Sequence, residues 1–238
     1  MINVAHQYFF LTPEFNYTGN KHIQFRLLNG YSKFTAWNST KILALSFRKL
    51  ENTHFGKIAI VPPLLRKEVL QAKPQTGDYI HGYLLNSGYS TELTEWSNRN
   101  PEQELHFFWN KKNVKESESL TPMLTLHTLN DTLFLKYMAG SKAYATTSGF
   151  ESVCEAMYLQ KPVLMVPTHI EQECNVIDAL RAGEGISAGE FDLNQLLEFI
   201  PIYNKSLEFN YWIHTAESLF MLELTRIEPQ HSTVLVTL

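Results

Sequence analysis

Two cysteines, Cys154 and Cys174, are too few for a disulfide framework or a cysteine-built metal site. Both read as free thiols of a reducing compartment. The nine histidines show no paired spacing on one helix, so no metal-ligand motif emerges from them either. Lys and Arg nowhere form a run, and the formal net charge is −4, which argues against nucleic acid as a main partner. No apolar run reaches the roughly 18 residues of a membrane-spanning helix. Residues 1–15 lack a basic stretch and contain Pro13 and Glu14, so no signal peptide is expected.

What the chain does have is apolar bulk. Of its 238 residues 44% are hydrophobic, with 15 Phe and 11 Tyr, enough for a substantial core. The length suits one large domain or two small ones. Residues 1–56 are rich in aromatics and irregular in pattern, with short strand-like runs at Tyr8–Leu11 and Ile42–Phe47. Residues 57–76 combine a strand at Ile58–Val61, Pro62-Pro63 and a short helical stretch, and read as a linker. From Gly77 strands and helices alternate. Strands are expected at Tyr79–Leu85, Leu105–Trp109, Met123–Leu126, Tyr144–Thr146, Val163–Val166 and Gly185–Ser187. Helices are expected at Ser90–Asn98, Leu133–Ala139, Phe150–Leu159, Glu171–Ala182 and Asn194–Ile200, and residues 110–121 as a loop. Such alternation implies an α/β fold, a Rossmann-like parallel sheet of five or six strands with right-handed crossovers and helices on both faces. Leu207–Ile227 follows with Phe209, Trp212, Ile213, Ala216, Leu219, Phe220 and Leu224 at helical spacing.

Residues 144–175 carry the most chemistry. A short strand, a Ser148-Gly149 turn, an amphipathic helix and a buried strand succeed one another. That order sets free backbone N–H groups of a helix N-terminus at the carboxyl end of a parallel strand, a place suited to phosphate. Glu155 falls on the body of that helix, where a carboxylate can accept hydrogen bonds from a diol such as a ribose. The alternative for each residue alone is structural: a Ser-Gly turn before an amphipathic helix is common, and Glu155 would then be a solvated helix residue.

The ordered set resembles the donor-binding motif in the carboxy-terminal domain of GT-B fold glycosyltransferases, most nearly those related to the peptidoglycan N-acetylglucosaminyl transferase. The matching positions are Ser148-Gly149, Ser152, Glu155-Ala156, Lys161-Pro162, Pro167, Glu171-Gln172 and Asn175. Two positions depart from the pattern: Thr147 stands where many relatives have His or Arg, and Gln160 where Gly is usual. The resemblance implies that Glu155 holds the ribose hydroxyls. It also implies that Ser148, Gly149 and Phe150 offer backbone groups to the diphosphate, and that Glu171, Gln172 and Asn175 face the donor sugar. Asn86, Ser87 and Gly88, after the first strand of this domain, stand where a small-residue loop approaches the diphosphate; an ordinary turn is the equal alternative. His127 stands near the nucleobase position, and His169 near the sugar loop. His6 is a candidate base only if it faces the cleft, so the catalytic residue stays unknown.

The implied reaction is transfer from a UDP-sugar, UDP-N-acetylglucosamine or a relative, to a glycan or lipid-linked acceptor whose identity the sequence does not give. No Asp-x-Asp pair is present, so no metal or other cofactor is expected. A sugar-nucleotide 2-epimerase and a non-catalytic nucleotide-sugar-binding subunit are the alternatives. The implied organisation is a truncated amino-terminal remnant of an acceptor-side domain (1–56), a linker (57–76), a nucleotide-sugar-binding domain (77–206), and a carboxy-terminal helix and tail (207–238). Val4-Ala5-His6-Gln7 resembles a segment late in the first domain of full-length relatives. A partner subunit, a cytoplasmic location and peripheral attachment at the inner membrane face complete these expectations.

Overall fold

The computed structural model describes residues 1–109 and 116–226. Part of the expected 110–121 loop and the end of the carboxy-terminal tail lie outside the described residues. The elements run β1 (Ile2–Ala5), a 3-10 segment (His6–Leu11), α1 (His22–Thr35), β2 (Lys41–Leu45), β3 (His54–Phe55), β4 (Ile58–Val61), α2 (Lys67–Gln71) and β5 (Ile80–Leu84). They continue α3 (Tyr89–Arg99), β6 (Leu105–Trp109), β7 (Ser117–Thr121), β8 (Leu124–Thr128), α4 (Asp131–Gly140), β9 (Ala143–Thr146) and α5 (Phe150–Tyr158). The last are β10 (Val163–Met165), α6 (Ile170–Arg181), β11 (Ile186–Ser187), α7 (Leu193–Phe199), a short 3-10 turn, α8 (Glu208–His214) and α9 (Ala216–Thr225).

Among the described residues the strands form two sheets. The larger has the order β11-β10-β9-β5-β6-β8-β7 and is parallel except for its edge strand β7, which pairs antiparallel with β8. β7 corrects the expected loop: its sequence SESLT carries no apolar pattern, because an edge strand exposed at Ser117–Ser119 needs none. The interior strands read as unbroken apolar runs because helices cover both faces. On one face Phe108 of β6 and Tyr144 of β9 pack with Phe134 and Met138 of α4, Val153 and Met157 of α5, and Trp212 of α8. On the other, Phe107, Leu105 and Leu164 pack with Leu93 and Trp96 of α3 and Leu193 and Leu196 of α7. Each such side chain contributes about 1.5–3 kcal/mol on burial. Gly82 of β5 lies against the Phe107 ring, where a Cβ would sit 2.1 Å from a ring carbon.

The smaller sheet, β1-β2-β4-β3, corrects the reading of the amino-terminal part as irregular. β1, β2 and β4 are parallel, and α1 joins β1 to β2. Tyr8–Leu11, expected as a strand, lies in the 3-10 segment. Ile58–Val61, placed in the expected linker, is a strand at the centre of this sheet. The carboxy-terminal helices return to it. Trp212 Nε1 donates to the Ser46 carbonyl at 3.0 Å, Glu223 accepts from Lys41 and His54, and Phe220 packs on Leu43, Ala59 and Val61.

Candidate functional site

A cleft of about 770 Å³ opens between the two sheets. Its floor is the turn after β9 and the start of α5: Thr147, Gly149, Phe150, Glu151, Ser152 and Glu155 line it. Ser148 takes φ 65°, a left-handed conformation costly for a side chain, so the backbone reverses within two residues. Its carbonyl accepts from Asn175 Nδ2 at 3.0 Å, which pins the turn from α6. Gly149 is the N-cap and supplies no side chain to the first N–H groups of α5. Those groups point out at the positive end of the helix dipole, where a ligand could accept from them.

Glu155 lies one and a half turns on, 6% exposed. Arg66 grips it with both arms of the guanidinium: Nε to Oε1 at 2.7 Å and Nη2 to Oε2 at 2.9 Å. Burial raises the carboxyl pKa above the ordinary range, and the Arg66 bond opposes that rise. Arg66 and Asp131, the first residue of α4, both line the cleft and were invisible to motif reading. The signal for Arg66 is positional: a basic pair, Arg66-Lys67, shortly after Pro62-Pro63, where the chain passes between sheets.

The remaining expected site residues divide. Glu171 and Gln172 line the cleft from the start of α6, and Gln172 Oε1 accepts from the Thr168 N–H and hydroxyl. Asn175 does not line it; the side chain is 3% exposed and is spent on Ser148. Ser152 lines it and donates to the Gly149 carbonyl at 3.2 Å. Asn86, Ser87 and Gly88 form an exposed turn closed by Gly88 N–H donating to Asn86 Oδ1 at 2.9 Å, and only their neighbour Leu85 is on the cleft wall. His127 is buried against Phe108, its Nε2 3.0 Å from His106 Nδ1, and is absent from the wall; Leu129 is there instead. Cys174 is fully buried in α6.

His6 does reach the cleft. Its ring stacks on Phe150 with centroids 4.0 Å apart, and Nδ1 donates to the Leu45 carbonyl at 2.8 Å. Burial lowers its pKa to about 3, so the ring is neutral near pH 7. Nε2 lies 3.8 Å from Asp178 Oδ2, whose pKa burial raises to about 6. The geometry is that of a wedge seating the first turn of α5. Four carboxylates and one guanidinium face the cleft, which suits a ligand rich in hydroxyl donors. No group of three or more His, Cys, Asp or Glu suited to a metal ion occurs among the described residues, and no helix there is long and apolar enough to cross a membrane.

Comparison with known proteins bears on this cleft. The family described as Glycosyl transferase family 1 matches residues 29–202. No curated protein matches the chain. Among solved structures, CalG4, the calicheamicin glycosyltransferase, is similar at 14% identity and a TM-score of 0.57, over 87% of this chain and 59% of that one. UGT89C1 of Arabidopsis thaliana, complexed with UDP-L-rhamnose, is similar at 15% identity and 0.54, over 91% and 59%. A UGT transferase from Siraitia grosvenorii in complex with UDP is similar at 13% and 0.53, over 87% and 64%. At these identities the likeness is one of fold, that of GT-B enzymes. The chain spans less than two thirds of the length of each of these relatives.

Proposed function

The chain belongs to glycosyl transferase family 1, and we propose that it is the donor-binding part of a glycosyltransferase that takes a UDP-sugar, UDP-N-acetylglucosamine or a close analogue. One observation carries the reading: the uncapped N-terminus of α5 and the Glu155 carboxylate share one cleft wall. Two of the structurally similar proteins were solved with UDP or a UDP-sugar, which supports the donor class. The preference for an N-acetylated sugar, and kinship with the peptidoglycan N-acetylglucosaminyl transferase group, rest on the Ser148-to-Asn175 motif.

In this reading the first-turn N–H groups of α5 and its dipole hold the diphosphate and stabilise the charge that builds on it as the sugar departs. Glu155 accepts from the ribose hydroxyls, with Arg66 fixing the orientation of its oxygens. Ser148 and Asn175 position the turn without touching donor. Glu171 and Gln172 lie on the side left for the sugar. An acceptor hydroxyl attacks the anomeric carbon and gives its proton to a base on the acceptor side. No metal is needed for these steps.

Calorimetric titration with UDP and UDP-N-acetylglucosamine, in the presence of a chelator, tests the reading. The expected outcome is metal-independent binding that Glu155→Gln weakens by about 1.5–3 kcal/mol, the scale of hydrogen bonds to a charged group. A folded Glu155→Gln variant with undiminished UDP affinity would overturn it.

A further inference from the structure

α6 serves the cleft and the smaller sheet together. Its amino end sets Glu171 and Gln172 on the cleft wall, and Asn175 pins the Ser148 turn. Further along the same helix Asp178 is fully buried against the smaller sheet. Its Oδ2 accepts from the Phe47 N–H at 3.4 Å, and its Oδ1 lies 3.5 Å from Arg48 Nε. His6 faces the same carboxylate. Its Nδ1 bonds the Leu45 carbonyl, which can only accept, so Nδ1 carries the hydrogen. In the neutral ring Nε2 then holds a lone pair. That nitrogen is buried, has no hydrogen bond among the described residues, and lies 3.8 Å from Asp178 Oδ2. Two acceptors thus oppose each other in the interior, an arrangement that one proton converts into donor and acceptor.

We propose that His6 and Asp178 bind one proton as a pair, and that this proton latches the smaller sheet to α6 and firms the cleft floor, so that the cleft responds to acid. A carboxylic acid donating to imidazole and an imidazolium donating to carboxylate hold the same number of protons, so the latch belongs to the pair. Burial raises Asp178 to about 6 and lowers His6 to about 3, which puts the proton on Asp178. The other titratable groups around Asp178 are Arg48 after β2, Arg181 on α6 itself and the Cys154 thiol of α5. The two arginines favour the bare carboxylate and oppose the uptake. Cys154 stays neutral, its pKa pushed up by burial. Around His6 stand the uncharged rings of Phe9, Phe10, Phe47 and Phe150. The latch reaches the cleft through Phe150, the first residue of α5, on which the His6 ring stacks at 4.0 Å. Fixing His6 therefore fixes the turn whose N–H groups face the cleft, and a site held in place beforehand binds more tightly. The inference rests on the donor reading only for the ligand that the latch tightens.

The test is an NMR titration of the full chain without ligand, from about pH 8 to about pH 5, spanning the ordinary histidine value. The Asp178 carboxyl carbon, His6 Nε2 and the backbone amides of Glu151 and Ser152 are expected to shift with one shared midpoint at about pH 6. His6→Phe keeps a ring on Phe150 and removes the acceptor, and in it the two amides are expected to lose that midpoint. Asp178→Asn, as a second variant, is expected to lose it too. Separate midpoints in the parent, a flat Asp178 carbon, or amides that titrate unchanged in both variants would overturn the proposal. Affinity for UDP-N-acetylglucosamine, measured in parent and His6→Phe, reads the latch at the cleft, since Glu155 titrates in both. The ratio of parent to variant affinity is expected to rise about fivefold over the same fall in pH, the low end of couplings between sites. A constant ratio would overturn the link to the cleft. Failure of the donor to bind the parent at any pH would count against the donor reading and leave the latch standing on the ligand-free shifts.

Discussion

Arg66 holds both carboxylate oxygens of Glu155, at 2.7 and 2.9 Å, across the mouth of the cleft. The carboxylate proposed to accept hydrogen bonds from a ribose is therefore already oriented by a cation from the segment that joins the two sheets.

Removing that cation leaves a buried carboxylate without its partner. Arg66→Met is expected to destabilise the protein by about 1–2 kcal/mol in urea unfolding, the guanidinium being partly exposed. Because burial raises the Glu155 pKa and Arg66 opposes the rise, UDP binding by the variant should weaken as pH falls at a higher pH than in the parent. Combining Arg66→Met with Glu155→Gln should restore much of the stability and none of the affinity. Additive losses in the double variant would show that the two side chains do not act as a pair.

Asn175 offers a test of positioning at a distance. Asn175→Ala frees the Ser148 carbonyl, and Ser148 then holds its left-handed backbone without support. The expected result is weaker UDP binding although residue 175 does not line the cleft. Ser148→Gly, which takes φ 65° without a Cβ penalty, should return part of the loss in the double variant. Equal affinity in parent and Asn175→Ala would remove Asn175 from any role in the turn.

The carboxyl end of α5 closes in a Schellman arrangement: Lys161 N–H donates to the Ala156 carbonyl and Gln160 N–H to that of Met157, both at 2.9 Å. Gln160 sits at φ 54°, the position that Gly usually fills. Gln160→Gly is expected to raise stability by about 0.5–1 kcal/mol, relief of left-handed strain exceeding the chain entropy added. A lower urea midpoint would refute this.

Acid should unfold the protein through its histidines. Burial lowers the pKa of His6 and His81 to about 3 and of His127 to about 4. The unfolded chain takes up these protons near the ordinary value of about 6.5 while the native state does not, so stability falls as pH drops from there through the native values. Asp178 and Glu184, raised by burial to about 6 and about 7, act in the opposite sense and offset part of the loss. His81 is fully buried between Phe108, Phe134 and Tyr144, and neither ring nitrogen makes a hydrogen bond to the described residues. His81→Phe should therefore flatten the decline of melting temperature between pH 6.5 and pH 4. A decline as steep as the parent's would exonerate His81.

The larger sheet was legible because its strands are buried on both faces and its helices on one. Leu105–Trp109 falls on its expected bounds, and α5, β10, α6 and α7 fall within a residue or two of theirs. α1 escaped because its outer side is as apolar as its inner side, which erases the contrast that periodicity reads. β7 escaped for the opposite reason, being polar but for Leu120. At the site, motif spacing brings out residues of one chain segment and misses those that tertiary folding supplies, which is why Arg66 and Asp131 appear only in the folded chain. The same limit holds for Asn175 and His127, whose side chains are turned to the Ser148 carbonyl and to His106.

The return of α9 onto Leu43, Ala59 and Val61 has a consequence for synthesis. The strands of the larger sheet come from one continuous run of chain, β5 to β11, and can pair as soon as that run leaves the ribosome. The smaller sheet is begun by the earlier residues and covered by later ones, Phe220 and Glu223 among them. Its flank therefore stays uncovered until α9 has been made, so strands made before the larger sheet are sealed after it.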